Sequence, residues 1–312
     1  MRFDENAEID TSNIRDVRGS GGGGLGGRVA VGGGGVSIVG LIIYFLLSQL
    51  GGGGGGGGGL PSGLGGLGAV TDNQSTGIGQ IAESCRTGRD ANSAVDCEVA
   101  AVTNSLDAYW SDVFARSNER FSPPLTYFFR GSVQTGCGGA TSDVGPFYCP
   151  ADNNIYIDLR FFEELEQRFG ADGGPFSRAY VIAHEYGHHI QALLGTSNRV
   201  RAGDTGPTSG SVRLELQADC YAGAWGNHAT TTPGANGRPL IVELNDQDLR
   251  AALDTAARIG DDYIQSELAG RRVDESQFTH GSSAQREKWF RVGFDTGEPG
   301  RCDTFARGVD LG

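Results

Sequence analysis

The pentapeptide His184-Glu185-Tyr186-Gly187-His188 constrains this chain more than any other stretch. Two imidazoles at this spacing meet at one ion only if the backbone between them is helical, because 3.6 residues per turn puts i and i+4 on one face. The surrounding Y-V-I-A-H-E-Y-G-H-H-I-Q-A-L-L supports a helix, with Val181, Ile182, Ile190 and Leu193 toward the core. Gly173, Gly174 and Pro175 precede it, Ser177 is the expected N-cap and Gly195 the stop, so the helix is predicted from Ser177 to Leu194. The ion that suits such a pair is one Zn2+, which accepts imidazole nitrogen and carboxylate oxygen and keeps a position open for water. His189, turned about 100° from His188, is expected at the surface or behind the ligands.

A catalytic zinc usually has three protein ligands, so the rest of the chain must supply one more. Gln191 and Leu194 occupy the positions where a metzincin has Gly and His, which excludes that solution. The stretch S-V-R-L-E-L-Q-A-D-C-Y-A-G-A-W offers Glu215 and Asp219 four apart on a predicted second helix. Glu215 is the expected third ligand beside His184 and His188, with His228 next in line. Asp219 is expected to accept the free N–H of a ligating imidazole, His184 foremost, and so fix its tautomer. Glu185 then serves as the general base for the water, and His280, in F-T-H-G-S-S-A-Q-R, is the chemically best placed donor to an oxyanion. Tyr186 and Tyr221 are alternatives for that donor. Arg286 is read as a solvated arginine, with a carboxylate near the site as the alternative partner.

The first quarter of the chain is a different object. Of 312 residues 53 are glycine, crowded between Gly19 and Gly68, and the net charge of -13 argues against a nucleic-acid partner. Residues 1–28 carry both charge signs and run into Ser-Gly repeats, which predicts a disordered tail. Residues 29–50 lack charge and contain V-S-I-V-G-L-I-I-Y-F-L-L-S-Q-L, which predicts a membrane-spanning signal anchor. A cleaved signal peptide and an interfacial or buried helix are the competing readings, and no Ala-x-Ala-like site follows. Arg15, Arg18 and Arg28 precede the segment, and the next basic residue is Arg86. The expectation is therefore a single-pass protein of the cell membrane with a cytoplasmic N-terminus and an extracytoplasmic domain. Residues 51–80 form a Gly-rich linker, and the folded domain spans 81–312.

All six cysteines lie beyond that segment, as expected for disulfides in an oxidising compartment. Loop length favours Cys85–Cys97 and Cys137–Cys149, and elimination leaves Cys220–Cys302. Val95, Val99, Val102, Leu106, Tyr109 or Trp110, and Val113 describe a core-facing helix capped by Asn92 or Ser93. L-T-Y-F-F after Pro123-Pro124 and N-I-Y-I-D-L are predicted strands, the second half-buried and bordering a substrate cleft as strand 154–159. Phe161 to Phe169 form a short helix closed by Gly170. An Asn245-capped helix and a Ser282-to-Gln285 capping box mark two further helices. The fold class is α+β, mostly helical with a small sheet.

H-E-Y-G-H, with E-L-Q-A-D 27 residues past the second histidine, resembles the gluzincin branch of the zincin metallopeptidases. C-P-A-D-N-N-I-Y-I-D-L, H-E-Y-G-H-H, L-Q-A-D-C-Y-A-G-A-W and T-H-G-S-S-A-Q-R are more closely similar to a bacterial family of neutral zinc metallopeptidases, often membrane-anchored. That resemblance covers roughly Cys85 to Cys302. It implies a zincin-like fold, zinc, and hydrolysis of a peptide or protein substrate. The other reading is a silent, zinc-stabilised binding or scaffold module at the cell envelope. Glu185 favours the enzyme, because a structural site needs no general base.

Overall fold

The computed structural model describes residues 1–19, 75–201, 203–234 and 236–312. The elements in order are β1 (Arg2–Phe3), β2 (Ile14–Asp16), α1 (Ser75–Ser84), α2 (Val95–Arg116), β3 (Thr126–Phe129), the hairpin β4 (Ser132–Thr135) and β5 (Gly138–Thr141), β6 (Phe147–Cys149) and β7 (Asn154–Asp158). There follow α3 (Phe161–Gln167), α4 (Pro175–Leu193), α5 (Gly210–His228), β8 (Ile241–Glu243), α6 (Asp246–Arg258) and α7 (Ser283–Thr296). The architecture is mixed α+β, dominated by helices, with a four-stranded sheet in the order β2-β3-β7-β6 and two-stranded pairs β1-β8 and β4-β5. β2 and β7 run parallel to β3, and β6 runs antiparallel to β7.

The metal-motif helix α4 is the hub. Phe176, Tyr180, Ile182, Tyr186 and Ile190 are all buried on it, and it packs on the sheet, α2, α5 and α6. The helix begins earlier than its sequence suggests. Gly174, at φ 98°, precedes Pro175 at the first turn, where a missing N–H costs nothing. Ser177 lies inside the helix, its hydroxyl bonded to that of Thr255 at 2.6 Å rather than to the helix end. Likewise Ala94 precedes α2, while Asn92 exchanges hydrogen bonds with the backbone of Phe3. α5 and α7 meet tightly because residue 293 is glycine: a Cβ there would sit 1.9 Å from the Cys220 carbonyl oxygen. The Asn245 and Ser282 capping boxes are present at α6 and α7.

Strand β7 differs from its expected half-buried state. Ile155, Tyr156, Ile157 and Asp158 are all buried, because β3 and β6 flank the strand and both faces of the sheet are covered. Tyr156 stacks between Tyr127 and Phe147 at 4.8 and 5.1 Å. The cleft-edge role expected for strand 154–159 is thereby corrected, since its hydrogen bonding is used internally and β6 is the outer strand.

Residues 1–18 are also not a disordered tail. Arg2 and Phe3 pair antiparallel with Glu243 and Ile241, and Ile14 to Asp16 pair parallel with Thr126 to Phe128. Phe3, Ala7 and Ile14 are 1% exposed. The charge of residues 1–28 as a whole obscures these few apolar positions, which suffice once a sheet edge is offered to them. Residues 1–18 and the described residues from 75 onward therefore share one body. The segments expected as anchor (29–50) and as most of the linker (51–80) lie outside the described residues. Among the described residues no helix is long and apolar enough to cross a membrane.

Three disulfides close the fold: Cys85–Cys97 ties α1 to α2, Cys137–Cys149 ties the hairpin to β6, and Cys220–Cys302 ties α5 to the C-terminal segment. The last closes a separation of 82 residues and contributes on the order of 4 to 5 kcal/mol by the loop-entropy account. Residues 1–18 also reach the metal-motif helix through a polar relay. Asn13 Nδ2 and the Tyr186 hydroxyl each donate to the Asp107 carboxylate at 3.0 Å. Burial pushes Asp107 up to about 7, against the pull of those two donors.

Two outcomes follow from this arrangement. Phe3→Ala should cost about 3 to 5 kcal/mol in urea unfolding, the cost of emptying a buried aromatic site; a disordered tail would give no change. The Asp107 pKa is raised from 3.8 in the unfolded chain, so its carboxyl favours the fold at low pH and loses that contribution as pH rises through about 7. Asp107→Asn, which stays neutral, should melt higher than wild type at about pH 8 and converge with it near about pH 4. Parallel melting curves at both pH values would show that Asp107 titrates normally.

Candidate metal centre

The distance between α4 and α5 decides which side chains can meet. At Gly187 the two helices come close: a Cβ there would lie 2.8 Å from Cα of Ala218. With no side chain at 187, α5 drops low enough for Glu215 and Asp219, one turn apart, to reach the histidines of α4. Ser209 starts α5 by accepting the Val212 N–H at 3.2 Å.

His184, His188 and Glu215 converge with their ligand atoms within 4.8 Å of one another. Glu215 Oε2 is 3.2 Å from His184 Nε2, and Glu215 Oε1 is 3.4 Å from His188 Nε2. Two tetrahedral ligands about 2.05 Å from a zinc ion stand about 3.3 Å apart, so the spacing fits that ion. The polar atoms agree, because His188 Nε2 and Glu215 Oε1 are buried without a hydrogen-bond partner. No protein donor satisfies them, and a cation among the three side chains would. Glu185 is buried at 1%, next in sequence to His184.

Around the ligands lies a dense set of hydrogen bonds. Asp219 Oδ1 is 2.7 Å from His184 Nδ1 and accepts the Tyr180 hydroxyl at 2.6 Å. A proton on Nδ1 facing this carboxylate leaves the Nε2 lone pair for the metal, the usual arrangement of a ligating histidine. His188 Nδ1 is 2.9 Å from Gln191 Oε1, and Gln191 in turn donates to the Leu214 carbonyl at 2.6 Å. Gln191, which sequence reasoning used only to exclude metzincins, thus orients the second imidazole.

The electrostatics suit a cation. Although burial opposes its charged form, Glu215 is held well below the ordinary carboxylate range by His188, His184 and His280. Asp219 is likewise lowered to about 2, by Arg286 and His184 against the cost of burial. The two carboxylates outweigh burial at His184 and push it up to about 9. Burial lowers His188.

His280 is fully buried, although it stands in a loop before α7, and is near enough to Glu215 to help depress its pKa. Its Nδ1 lies 3.1 Å from Asp261 Oδ1 and 3.0 Å from the Thr279 hydroxyl, and its buried Nε2 has no hydrogen-bond partner. Asp261 is itself fixed by the backbone N–H groups of Thr279, His280 and Gly281, at 2.7, 2.7 and 3.0 Å. Sequence reasoning missed Asp261: nothing in D-D-Y signals a histidine 19 residues away.

Other candidates fall elsewhere. Tyr186 is turned toward Asp107, Tyr221 packs edge-on against Trp110, and His228 stacks on Tyr109 with Nε2 3.0 Å from the Gly297 carbonyl. His189 is buried rather than at the surface, bound to the Ser122 carbonyl at 2.7 Å and near the Tyr148 hydroxyl at 3.3 Å. Arg286 is the largest departure. In place of a solvated side chain it is 0% exposed and grips Asp219 with Nε and Nη2, both at 2.9 Å.

The uncharacterized protein Rv2575 of Mycobacterium tuberculosis is 50% identical over 229 residues, covering 73% of this chain and 76% of that protein. The uncharacterized protein YpfJ of Escherichia coli K12 is 44% identical over 205 residues, covering 64% and 68%. No solved structure matches the chain. Residues 1–305 match the family described as "Putative neutral zinc metallopeptidase", and the match takes in residues 1–18 that the fold builds into its sheets. The chain belongs to this zinc metallopeptidase family.

Proposed function

We propose that the protein is a zinc-dependent peptidase with one catalytic ion held by His184, His188 and Glu215. The observation that carries this is the convergence of His184 and His188 on α4 with Glu215 on α5, two of their buried polar atoms unpartnered, beside Glu185 of α4. When bound there, zinc supplies Lewis acidity that activates water near neutral pH and polarises the scissile carbonyl. Glu185 takes the proton from the attacking water and delivers it to the leaving amine. His280, held at Nδ1 by Asp261, donates from Nε2 in its doubly protonated form to the oxygen on which negative charge develops. Asp219 keeps His184 in the tautomer that leaves Nε2 for the metal.

The same proposal places the folded body outside the cytoplasm. Three disulfides with no free cysteine among the described residues fit an oxidising compartment. Membrane association through residues 29–50 belongs to this reading; a cytoplasmic tail does not, because residues 1–18 travel with the domain.

Glu185→Gln should keep zinc at wild-type occupancy and reduce hydrolysis of an unstructured protein substrate by at least about 1000-fold, since it removes the proton carrier but no ligand. Equal turnover by the two proteins would overturn the assigned base, and inactive wild type with full zinc would favour the silent scaffold. Glu215→Ala should abolish stoichiometric zinc in metal analysis; undiminished zinc would move the third ligand elsewhere.

A further inference from the structure

Arg286 is a fully buried cation whose function is not explained by the three ligands or the general base. All three nitrogens of its guanidinium have neighbours. Nε donates to Asp219 Oδ2 and Nη2 to Asp219 Oδ1, both at 2.9 Å, a two-pronged grip on one carboxylate. Nη2 also reaches the Tyr180 hydroxyl at 3.2 Å, and Nη1 reaches the Ile259 carbonyl at 3.3 Å. These partners come from α4, α5 and the end of α6, while Arg286 stands on α7. The guanidinium therefore joins four helical elements, with the Asp219 carboxylate gripped in its fork.

That carboxylate also holds His184. Oδ1 of Asp219 lies 2.7 Å from His184 Nδ1, with Nε2 on the other side of the ring 3.2 Å from Glu215. A lone aspartate could rotate about its Cβ–Cγ bond and carry the imidazole with it. Two parallel N–H bonds from a planar guanidinium fix the plane of the carboxylate, which a point charge such as lysine cannot do. Asp219 and Glu215 are also like charges one turn apart on α5, both out of reach of water. The guanidinium offsets that repulsion at Asp219 without touching Glu215.

We propose that Arg286 is a positioning residue of the metal centre, setting zinc affinity by locking Asp219 and, through it, the ring of His184. This rests on the zinc-peptidase reading above. It assigns Arg286 no contact with metal or substrate.

The test is a zinc titration against a chromophoric chelator, with the full chain stripped of metal. Wild type, Asp219→Asn, Arg286→Lys, Arg286→Gln and the double variant Asp219→Asn/Arg286→Gln are compared. Arg286→Lys and Arg286→Gln should each weaken zinc by about 10- to 100-fold, the usual effect of losing a partner behind a ligand. The double variant should bind no more weakly than Asp219→Asn alone: Nη2 also lies 3.4 Å from His184 Nδ1, but with the Nδ1 proton turned to Asp219 both groups are donors, and the coupling runs through the carboxylate. If Arg286→Gln does not fold, Arg286→Lys carries the measurement, and its Co2+ absorption spectrum should shift as the ligand geometry loosens. Wild-type zinc affinity and an unchanged Co2+ spectrum in Arg286→Lys would overturn the inference, as would full additivity in the double variant. A wild type that binds no zinc would overturn the zinc reading and this inference together, which separates the two failures.

Discussion

The centre depends on how closely α4 and α5 approach. Imidazoles on one helix and carboxylates on the other meet only because nothing but hydrogen projects from residue 187 toward Ala218. The glycine is part of the metal motif but contributes no ligand. It sets the depth at which Glu215 and Asp219 arrive, and the hydrogen-bond geometry around His184 follows from that depth. The tight meeting of α5 with α7 at Gly293 does the same one layer out, where it brings Arg286 onto the far side of Asp219.

Charge compensation in this core runs in layers. Glu215 faces two imidazoles, Asp219 behind it faces a guanidinium, and Asp261 behind His280 faces three backbone N–H groups. Each buried acid thus has partners of a different kind. Of these three, Glu215 keeps a buried oxygen without a protein donor, as suits a carboxylate arranged for a cation.

Much of this was legible in the sequence because it is local or periodic. The helix around His184 and His188, the 27-residue step to Glu215, the disulfide pairing and the two capping boxes rest on spacing along the chain. What was missed depends on neighbours brought from elsewhere. Arg286 reads as solvated until Asp219 on another helix is placed beside it. Asp261 has no sequence tie to His280. Strand 154–158 carries the alternation of a half-buried strand, yet Tyr156 and Asp158 find aromatic rings and an Arg160–Ser142 cluster waiting on the second face. Residues 1–18 have so few apolar positions that averaging them with the glycine tract that follows hid the strands.

The pairing of those residues also orders the fold in time. Phe3 has no strand partner until Ile241 has been synthesised, and Ile14 none until Thr126, so an early-made segment waits for later ones before its strands can pair. Contacts of such long sequence separation form slowly, after the local helices. The β1–β8 ladder is then a late closure, completed only when the helices carrying the metal site are already made.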